Sequence, residues 1–254
     1  MKIAVLIAGV ADPKWPLTLD EAGRPVCVPD RLVMSPFDES ALEIALRLRD
    51  ADPAVSITAE VMGGAKAERL ARAVVAFNIP DVTCLDIPFE AGCDVGYLAG
   101  TLAKSVPADA DLVLLGREFG DCDLGATPPQ LALLLGRTFF GRAQSVEPGP
   151  DGPRFMREAQ AHEEWVAMSA PMVVSVTNDR RSRLRKPLFK NVVMARQAKV
   201  GVRSSSQAGQ LAVVLQKIEP IANLRSAIDG PRLRGATPEH ARAVISHIRA
   251  RMSA

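Results

Sequence analysis

DLVLLGREFGDCDLGATPPQLALLLG, residues Asp111–Gly136, contains a strand, a loop and a helix in direct succession. The hexapeptide DLVLLG is apolar after its first residue and ends in glycine, which is typical of a strand buried on both faces of a sheet. The second half begins with Thr127 and a double proline, a signal for the first turn of a helix. The loop between them carries two carboxylates, Asp121 and Asp123. Because ligands of open α/β sheets bind beyond the carboxyl ends of the strands, this loop is a candidate binding site.

The same alternation of strand and helix occupies the first half of the chain. Ile3–Ala8 and Val55–Gly64 are apolar runs of the kind that form buried strands. Amphipathic patterns between the strands predict helices over residues 38–51, 65–77 and 94–106. Strands that alternate with helices of this length predict an α/β fold with a mostly parallel, doubly wound sheet.

The pattern changes after Gly136. Three further strands are predicted between residues 136 and 178, and the PGPDGP stretch, Pro148–Pro153, supplies a hairpin turn between the first two. We therefore expect antiparallel strands appended to the parallel sheet, within an α/β domain of residues 1–178. Residues 179–199 form a basic segment, and residues 200–254 form an arm with little core of its own, which we expect to lie against another chain.

Composition excludes several classes of protein. A net charge of +2 and an aromatic content of 4% are unlike those of a nucleic-acid-binding protein. The four cysteines form no CxxC pair and the three histidines no ligand spacing, so we expect no metal site and reduced thiols in a cytoplasmic protein. No apolar run has the roughly 20 residues that a membrane-spanning helix needs. The short apolar run at Ile3–Ala8 resembles a signal peptide only weakly, and a first buried strand is the preferred interpretation.

Motifs for self-contained catalysis are missing from the sequence. It has no G-x-S-x-G, no H-E-x-x-H and no G-x-x-x-x-G-K-[ST]. With three histidines and no nucleophile paired with a base, we expect a chain that does not catalyse a reaction alone.

The chemistry of the loop favours a nucleotide held by its edges. The helix start could offer a phosphate the backbone amides of Gly125, Ala126 and Thr127. The two prolines that follow have no N–H, so this would be a poorer cradle than a Walker loop. The two aspartates would repel phosphate but could accept hydrogen bonds from an adenine amine or a ribose hydroxyl. The alternative is a turn with two solvated aspartates.

Two other stretches should reach the same edge of the sheet. Ser35, Pro36 and Asp38 have the spacing of a capping box at the start of a helix. Gly63 and Gly64 follow a predicted strand and would let the backbone approach a ligand, although such turns also occur wherever a strand meets a helix.

Taken together, these stretches resemble the β subunit of electron transfer flavoproteins over roughly residues 1–199. VMSPFDESALEIALRL resembles the family segment N-P-F-[DC]-E-x-A-x-E-x-A-x-x-L, and MGGAKAERLARAVVAFNIPDV resembles a second, G-P-x-x-x-x-x-x-R-x-A-L-A-M-G-A-D. The opening stretch resembles D-L-V-L-x-G-K-x-x-x-D-x-D. REAQAHEEWVAMSAPMVVSV aligns without gaps to the family signature and keeps Arg157, Glu158, Glu164, Pro171, Val173 and Val174.

The resemblance implies a heterodimer with an α subunit that holds redox-active FAD, and a β-subunit nucleotide site that holds AMP. In electron-bifurcating members a second FAD occupies the β site. The fold implied is of the adenine-nucleotide-binding type. The site residues implied by position are Leu6, Ser35, Pro36, Phe37, Asp38, Met62, Asp121, Cys122, Asp123, Leu124, Gly125, Ala126, Thr127, Pro128, Pro129, Gln130, Leu131 and Ala132.

Several positions depart from the family pattern. Ala8 stands where most relatives have Lys, and Gly125, Ala126 and Pro128 replace the Asn-Gln-Thr-Gly pattern of AMP-binding members. Asp121, Asp123 and Pro129 agree with the bifurcating pattern, which also has a Gln that this chain lacks. AMP is the expected occupant, and FAD or no nucleotide are the alternatives.

NDRRSRLRKPLFKNVVMARQAK lies where the family has its partner-recognition loop. By position, Arg185 matches the family Arg, and Leu188 or Phe189 matches the anchoring leucine. An exposed apolar residue ringed by polar ones has the form of a small interaction hot spot. Residues 180–186 carry four arginines and one lysine, which are either a solvated face or complementary to an acidic dehydrogenase surface.

The function expected is therefore that of an electron-carrier subunit. A dehydrogenase reduces FAD held mainly by the α subunit, while the β subunit docks that dehydrogenase and binds AMP. A bifurcating protein with FAD in the β site is the alternative within the family. A free-standing adenine-nucleotide sensor is the alternative from another class, and an RNA-binding module would lack aromatic platforms and overall basicity.

Overall fold

The computed structural model describes residues 1–252 apart from 17, 25, 27–31, 150–151, 205–210, 214–215, 217–234 and 236. The chain divides into two compact units, Met1–Ile218 and Glu219–Ala254. The first unit contains the sheets. Most of the expected arm, and two residues of the expected turn at Pro148–Pro153, lie outside the described residues.

A seven-stranded sheet forms the centre of the first unit. All of its neighbouring strands are parallel. In spatial order the strands are β12 (Gly201–Ser204), β5 (Asp81–Asp86), β4 (Ser56–Met62), β1 (Lys2–Ile7), β6 (Leu112–Gly116), β11 (Met172–Val176) and β7 (Thr138–Ala143).

Helices cover both faces of this sheet. Along β1, Ile3, Val5 and Ile7 belong to one apolar cluster, whereas Ala4 and Leu6 belong to the other. This alternation follows from the two-residue period of a strand. The first cluster includes side chains of α1 (Pro36–Ala51) and α2 (Glu68–Val75), and the second includes side chains of α3 (Val95–Ser105) and α4 (Thr127–Leu135). The predicted doubly wound α/β fold is confirmed.

Helix α1 begins with the predicted capping box. The Ser35 hydroxyl accepts a hydrogen bond from the Asp38 amide at 3.0 Å, and the Asp38 carboxylate accepts one from the Ser35 amide at 3.3 Å. Pro36 is the first helical residue, where its missing N–H costs nothing. Helix α3 begins in a related way, because the Asp94 carboxylate accepts a hydrogen bond from the Tyr97 amide at 2.9 Å.

The antiparallel strands are in a sheet of their own. This three-stranded sheet has the order β10 (His162–Ala167), β9 (Arg154–Ala159) and β8 (Ser145–Glu147). Strands β7 and β11 flank this insertion in sequence and are parallel neighbours in the main sheet. The seven-stranded sheet also contains β12, which comes from the segment that we assigned to the arm. The α/β domain therefore extends past residue 178.

The remaining elements are short. Strands β2 (Val10–Ala11) and β3 (Leu32–Val33) pair with each other, and 3₁₀ turns occupy Gly64–Ala67, Phe89–Cys93 and Arg180–Ser182. Helix α5 (Phe189–Ala195) lies within the expected partner-recognition segment and against α2. In the second unit, α6 spans Pro238–Met252. Among the helices of the described residues, none combines the length and apolar character needed to cross a membrane.

Candidate functional site

Four segments meet at the carboxyl edge of the sheet: the ends of β1, β4 and β6 and the start of α1. Strands β4, β1 and β6 are direct neighbours and parallel, so the residues that follow each of them lie at one edge. Ala8 and Gly9 follow β1, Gly63 follows β4 and Arg117 follows β6. A Cβ added to Gly116 would lie 2.9 Å from the Cβ of Phe37, which places the start of α1 at the same edge.

Asp123 organises the loop between β6 and α4. Its Oδ2 accepts a hydrogen bond from the Phe119 amide at 2.9 Å, and its Oδ1 accepts bonds from the amides of Gly125 at 2.9 Å and Ala126 at 2.8 Å. The Thr127 amide approaches the same oxygen at 3.3 Å. Asp123 is almost fully buried, so its charge is compensated by these backbone amides.

These contacts change the expected chemistry of the helix start. The three amides that we expected to offer to a phosphate already donate to Asp123. Gly125 makes the turn because its φ of +92° is strained for residues with a Cβ. In this arrangement the loop closes on its own carboxylate and does not present a ready anion cradle.

Asp121 and Cys122 have a different environment from Asp123. The Asp121 carboxylate accepts one long hydrogen bond, 3.4 Å from the Ala11 amide, and partial burial raises its pKa. The thiol of Cys122 lies beside that of Cys93, in the turn before α3. Cys122 is exposed, but desolvation of its thiol, the neighbouring Cys93 thiol and the Asp121 charge together raise its pKa to about 12. Cys122 is therefore a poor nucleophile at neutral pH.

Asp38 is the most strongly perturbed acid at this edge. It is fully buried, and desolvation raises its pKa from 3.8 to about 7, although the hydrogen bond with Ser35 and the proximity of the Gly9 and Ala8 amides favour the ionised form. Its Oδ1 has no hydrogen-bond partner among the described residues. The Thr127 hydroxyl is also buried and without a partner in this part of the chain. Two buried polar atoms at this edge are thus available to a ligand or an ordered water.

Other predicted site residues have mainly a packing role in the structure. The side chains of Leu6, Met62, Leu131 and Ala132 are buried in the apolar cluster beneath α3 and α4. A ligand at this edge could therefore reach them only through their backbone atoms. In contrast, the loop residue Leu124 is 97% exposed.

The glycine pair after β4 is required by the fold. Gly64 has a φ of +56°, and a Cβ there would lie 2.6 Å from Oδ1 of Asp86 at the end of β5. The Gly63 amide donates to the Leu85 carbonyl at 3.0 Å. The pair fits the turn against the neighbouring strand, which accounts for its presence without a ligand.

Sequence reasoning missed Arg117, the first residue after β6. Its guanidinium lies 5.0 Å from the centre of the Phe37 ring and pairs with Glu118 through a hydrogen bond of 2.9 Å from Nε. It therefore brings a guanidinium, paired with Glu118, to an edge whose predicted site residues include no Lys or Arg. The signal in the sequence is its position directly after a buried strand, where ligand contacts of α/β sheets occur.

Arg185 was expected to face a partner, but it binds to α1. Its guanidinium donates to both carboxylate oxygens of Glu43, at 2.9 and 3.0 Å, and pairs with Asp50. Its amide donates to Glu43 at 3.1 Å. These acidic partners raise the pKa of Arg185 above its usual value, and Arg185 serves to fix the segment.

Arg181 is also neutralised within the chain. It donates to Asp179 at 2.9 Å and to Glu158 at 2.6 Å. Of the basic run 180–186, Arg180 and Lys186 have no hydrogen bond or ion pair to a described residue. The run is thus only partly a solvated basic face, because two of its arginines hold the segment in place.

The two predicted anchor residues remain exposed. Leu188, the residue directly before α5, is 61% exposed, and Phe189, the first residue of the helix, is 82% exposed. Val193 and Met194 on the same short helix are exposed as well. We call these four residues the α5 patch.

Comparisons with known proteins show which family this chain resembles. The model of the electron transfer flavoprotein domain family matches residues 27–208.

The electron transfer flavoprotein subunit beta of Megasphaera elsdenii is 28% identical over 170 residues, which are 63% of this chain and 61% of that protein. The match therefore spans less than two thirds of the Megasphaera protein. The subunit of the same name from Bradyrhizobium diazoefficiens is 26% identical over 211 residues, 82% of this chain and 84% of that protein. The caffeyl-CoA reductase-Etf complex subunit CarD of Acetobacterium woodii is 30% identical over 105 residues, 41% of this chain and 40% of that protein.

Proposed function

Because this chain belongs to the electron transfer flavoprotein family, we propose that it is the β subunit of a heterodimer whose α subunit holds FAD. A dehydrogenase would reduce that flavin, which supplies the redox chemistry. The β chain would dock the dehydrogenase, bind a nucleotide and position the flavin-carrying subunit. This division of work agrees with the sequence, which has no motif for catalysis by this chain alone.

The observation that carries the proposal is a pair of exposed apolar surfaces on opposite faces of the sheet. The α5 patch lies on the side of α1 and α2, since α5 packs against α2. Leu133 and Leu134 are exposed on α4, whose buried residues belong to the cluster on the other face. Clustered exposed apolar side chains mark interaction sites. Two such surfaces on opposite faces can serve two proteins at once, as a docking subunit requires.

The residues at the carboxyl edge fit the adenosine part of AMP better than its phosphate. Asp121, with a single long hydrogen bond, and the unpartnered Thr127 hydroxyl offer polar contacts for an adenine amine or ribose hydroxyls. The loop amides are engaged by Asp123, so we propose that the nearby Arg117 guanidinium contacts the phosphate in place of its present partner Glu118. AMP is accordingly our proposal for the β site.

A second candidate is a β subunit with its own FAD, as in bifurcating members of the family. It is favoured by Asp121, Asp123 and Pro129, which agree with that pattern, and by matches to subunits of reductase complexes. Besides CarD, the acryloyl-CoA reductase electron transfer subunit gamma of Anaerotignum propionicum is 26% identical over 136 residues. Flavin content separates the two candidates, because they predict one or two FAD per heterodimer.

Purification from the native source tests the proposal. We expect the tagged chain to co-purify with a flavin-carrying subunit, and denaturation of the complex to release one FAD and one AMP per heterodimer. Two FAD and no AMP would support the second candidate. A solitary chain that releases an adenine nucleotide would support the sensor alternative, and a solitary chain without nucleotide or flavin would overturn the proposal.

The docked dehydrogenase is proposed to present an acidic surface. Arg180 and Arg183 are exposed in the segment that precedes α5, and complementary charge accelerates encounter. The rate of reduction by the dehydrogenase should therefore fall as salt increases. A rate that does not change with salt would rule out an electrostatic contribution from this basic segment.

A further inference from the structure

A cavity of about 760 Å³ lies on the α1 and α2 face. None of the predicted carboxyl-edge residues lines it, although its lining residues Met34 and Glu39 flank Ser35–Asp38. Helix α2 forms one wall, and the segment 183–187 together with α5 forms the other. A second cavity of about 580 Å³ shares Met34, Glu39, Arg69 and Ala73 with the first and extends toward Trp15. These volumes suit an organic molecule of moderate size and exceed the volume of a single inorganic ion.

The floor of the larger cavity is apolar. Ala76, Phe77 and Ala195 are buried at its base, and Leu184 and Val192 contribute further apolar surface. Leu184 itself packs against the core cluster beneath α1 and α2. This floor would bury the hydrocarbon or aromatic part of a ligand.

The lining is strongly basic. Its ionisable residues are one acid, Glu39, and six bases: Arg69, Arg72, Arg183, Arg185, Lys186 and Arg196. Arg72 pairs with Glu68, Arg185 pairs with Glu43 and Asp50, and Arg183 faces Glu39. The side chains of Lys186 and Arg196 have no hydrogen bond or ion pair to any described residue. The cavity thus combines an apolar floor with uncompensated positive charge.

We propose that this cavity binds an amphiphilic organic anion, a molecule with an apolar body and a carboxylate, sulfonate or phosphate group. The apolar body lies on Phe77 and Ala195, and Lys186 and Arg196 hold the anionic group. Arginine and lysine donors form charge-assisted hydrogen bonds with such groups. Since Lys186 lies two residues before Leu188, an occupied cavity would also alter the base of the α5 patch and so the docking of a dehydrogenase.

Binding is tested directly on the full chain, together with whatever subunit co-purifies with it, and in the presence of saturating AMP. The probe is 8-anilinonaphthalene-1-sulfonate, whose fluorescence reports its binding. The three competitors are dodecanoate, dodecyltrimethylammonium and inorganic phosphate. We expect dodecanoate to displace the probe at a concentration at least about tenfold lower than dodecyltrimethylammonium, the cation of equal chain length. One ionic contact changes the affinity by about this factor. Phosphate alone should not displace it, because it has no apolar body.

Variants locate the site. Lys186→Ala combined with Arg196→Ala should weaken dodecanoate binding by about tenfold or more, and Ala73→Trp should abolish it by filling the cavity without a change in charge. Arg180→Ala is the matched control, because Arg180 belongs to the same basic run but does not line the cavity. Equal displacement by anion and cation, or unchanged binding in both cavity variants, would overturn the proposal.

The outcome is independent of the electron-transfer role, because the measurement requires neither a flavin nor a dehydrogenase. If dodecanoate does not bind but the double variant slows reduction by the dehydrogenase, the cavity receives an acidic segment of that protein. The proposal of a small amphiphilic ligand would then be rejected while the proposed function stands.

Discussion

Arg185 and Glu43 are 142 residues apart in the chain and are joined by a two-pronged ion pair with N···O distances of 2.9 and 3.0 Å. Glu43 lies on α1 with its side chain almost completely buried. The pair fixes the segment before α5 to the body of the first unit. It explains how a segment with little regular structure can present Leu188 and Phe189 in one orientation.

We expect Arg185→Ala to destabilise the protein. The substitution leaves the buried Glu43 carboxylate with Arg47 as its remaining basic partner, and we estimate a loss of about 1 to 3 kcal/mol because Arg185 is itself partly exposed. Urea unfolding of the variant measures this loss. Arg180→Ala is the control and should change the free energy of unfolding by less than about 0.5 kcal/mol. Equal stability of the two variants would show that the ion pair does not hold the segment.

Leu188→Ala and Phe189→Ala should slow electron acceptance from the dehydrogenase without lowering stability. Both side chains are exposed, so their truncation removes contacts with a partner but few contacts within the chain. Stopped-flow reduction and thermal unfolding measure the two effects. Leu133→Ala, on the opposite face, should weaken association with the flavin-carrying subunit and leave the encounter with the dehydrogenase unchanged. Unaltered kinetics in both α5 variants would refute the assignment of the docking surface.

Asp123→Ala should be far more damaging than Asp121→Ala. Asp123 accepts bonds from several backbone amides in a buried position, so its removal leaves these donors unsatisfied, at a cost on the order of 2 to 4 kcal/mol. Asp121 has one hydrogen bond of 3.4 Å, and its removal should cost less than about 1 kcal/mol. The free energy of unfolding of each variant is the measurement. A similar loss for both would mean that Asp123 does not organise the loop.

The stability of the protein should depend on the ionisation of Asp38. Its pKa of about 7 in the folded state lies above the value of 3.8 for an unperturbed aspartate. The protonated side chain therefore contributes stability that is fully present below about pH 4 and is lost as the pH rises through 7. Asp38→Asn keeps an acceptor for the Ser35 amide but cannot ionise. The free energy of unfolding of the variant, relative to that of the wild type, should therefore be higher at pH 8.5 than at pH 4 by on the order of 2 to 4 kcal/mol. Urea unfolding at both pH values measures the difference, and an equal effect at the two would contradict the shifted pKa.

Cys122 should react slowly with iodoacetamide at pH 8. Its pKa of about 12 leaves little of the reactive thiolate, whereas the thiol of the denatured chain has a pKa of about 8.5. Mass spectrometry of the labelled peptide should show a rate at least about tenfold lower in the folded protein than in urea. Cys93→Ala should partly restore the rate, because the neighbouring thiol contributes to the shift. Rapid labelling of the folded wild-type protein would exclude the raised pKa.

Strand β5 was not predicted from the sequence, but three features were: strands β1, β4 and β6 with the helices between them, the capping box at Ser35, and the meeting of the candidate segments at the carboxyl edge. Each depends on residues that are close together in the chain. Apolar runs identify the buried strands. The capping box requires only Ser35 and Asp38, three positions later. Parallel strands bring their carboxyl ends to one edge of the sheet. The family was also identifiable, since its motifs are short segments in a fixed order.

What only the tertiary structure decided is which polar groups are already satisfied. The amides of Gly125 and Ala126 look available in the sequence, yet a nearby carboxylate accepts both. Arg185 looks like a contact for a partner, but its charge is neutralised by a helix more than a hundred residues earlier. The edge strand β12 and the basic cavity likewise depend on contacts between distant parts of the chain. A sequence shows which groups can donate, accept or carry charge, but hydrogen bonds and ion pairs act over a few ångströms, so their partners are determined only when the chain has folded.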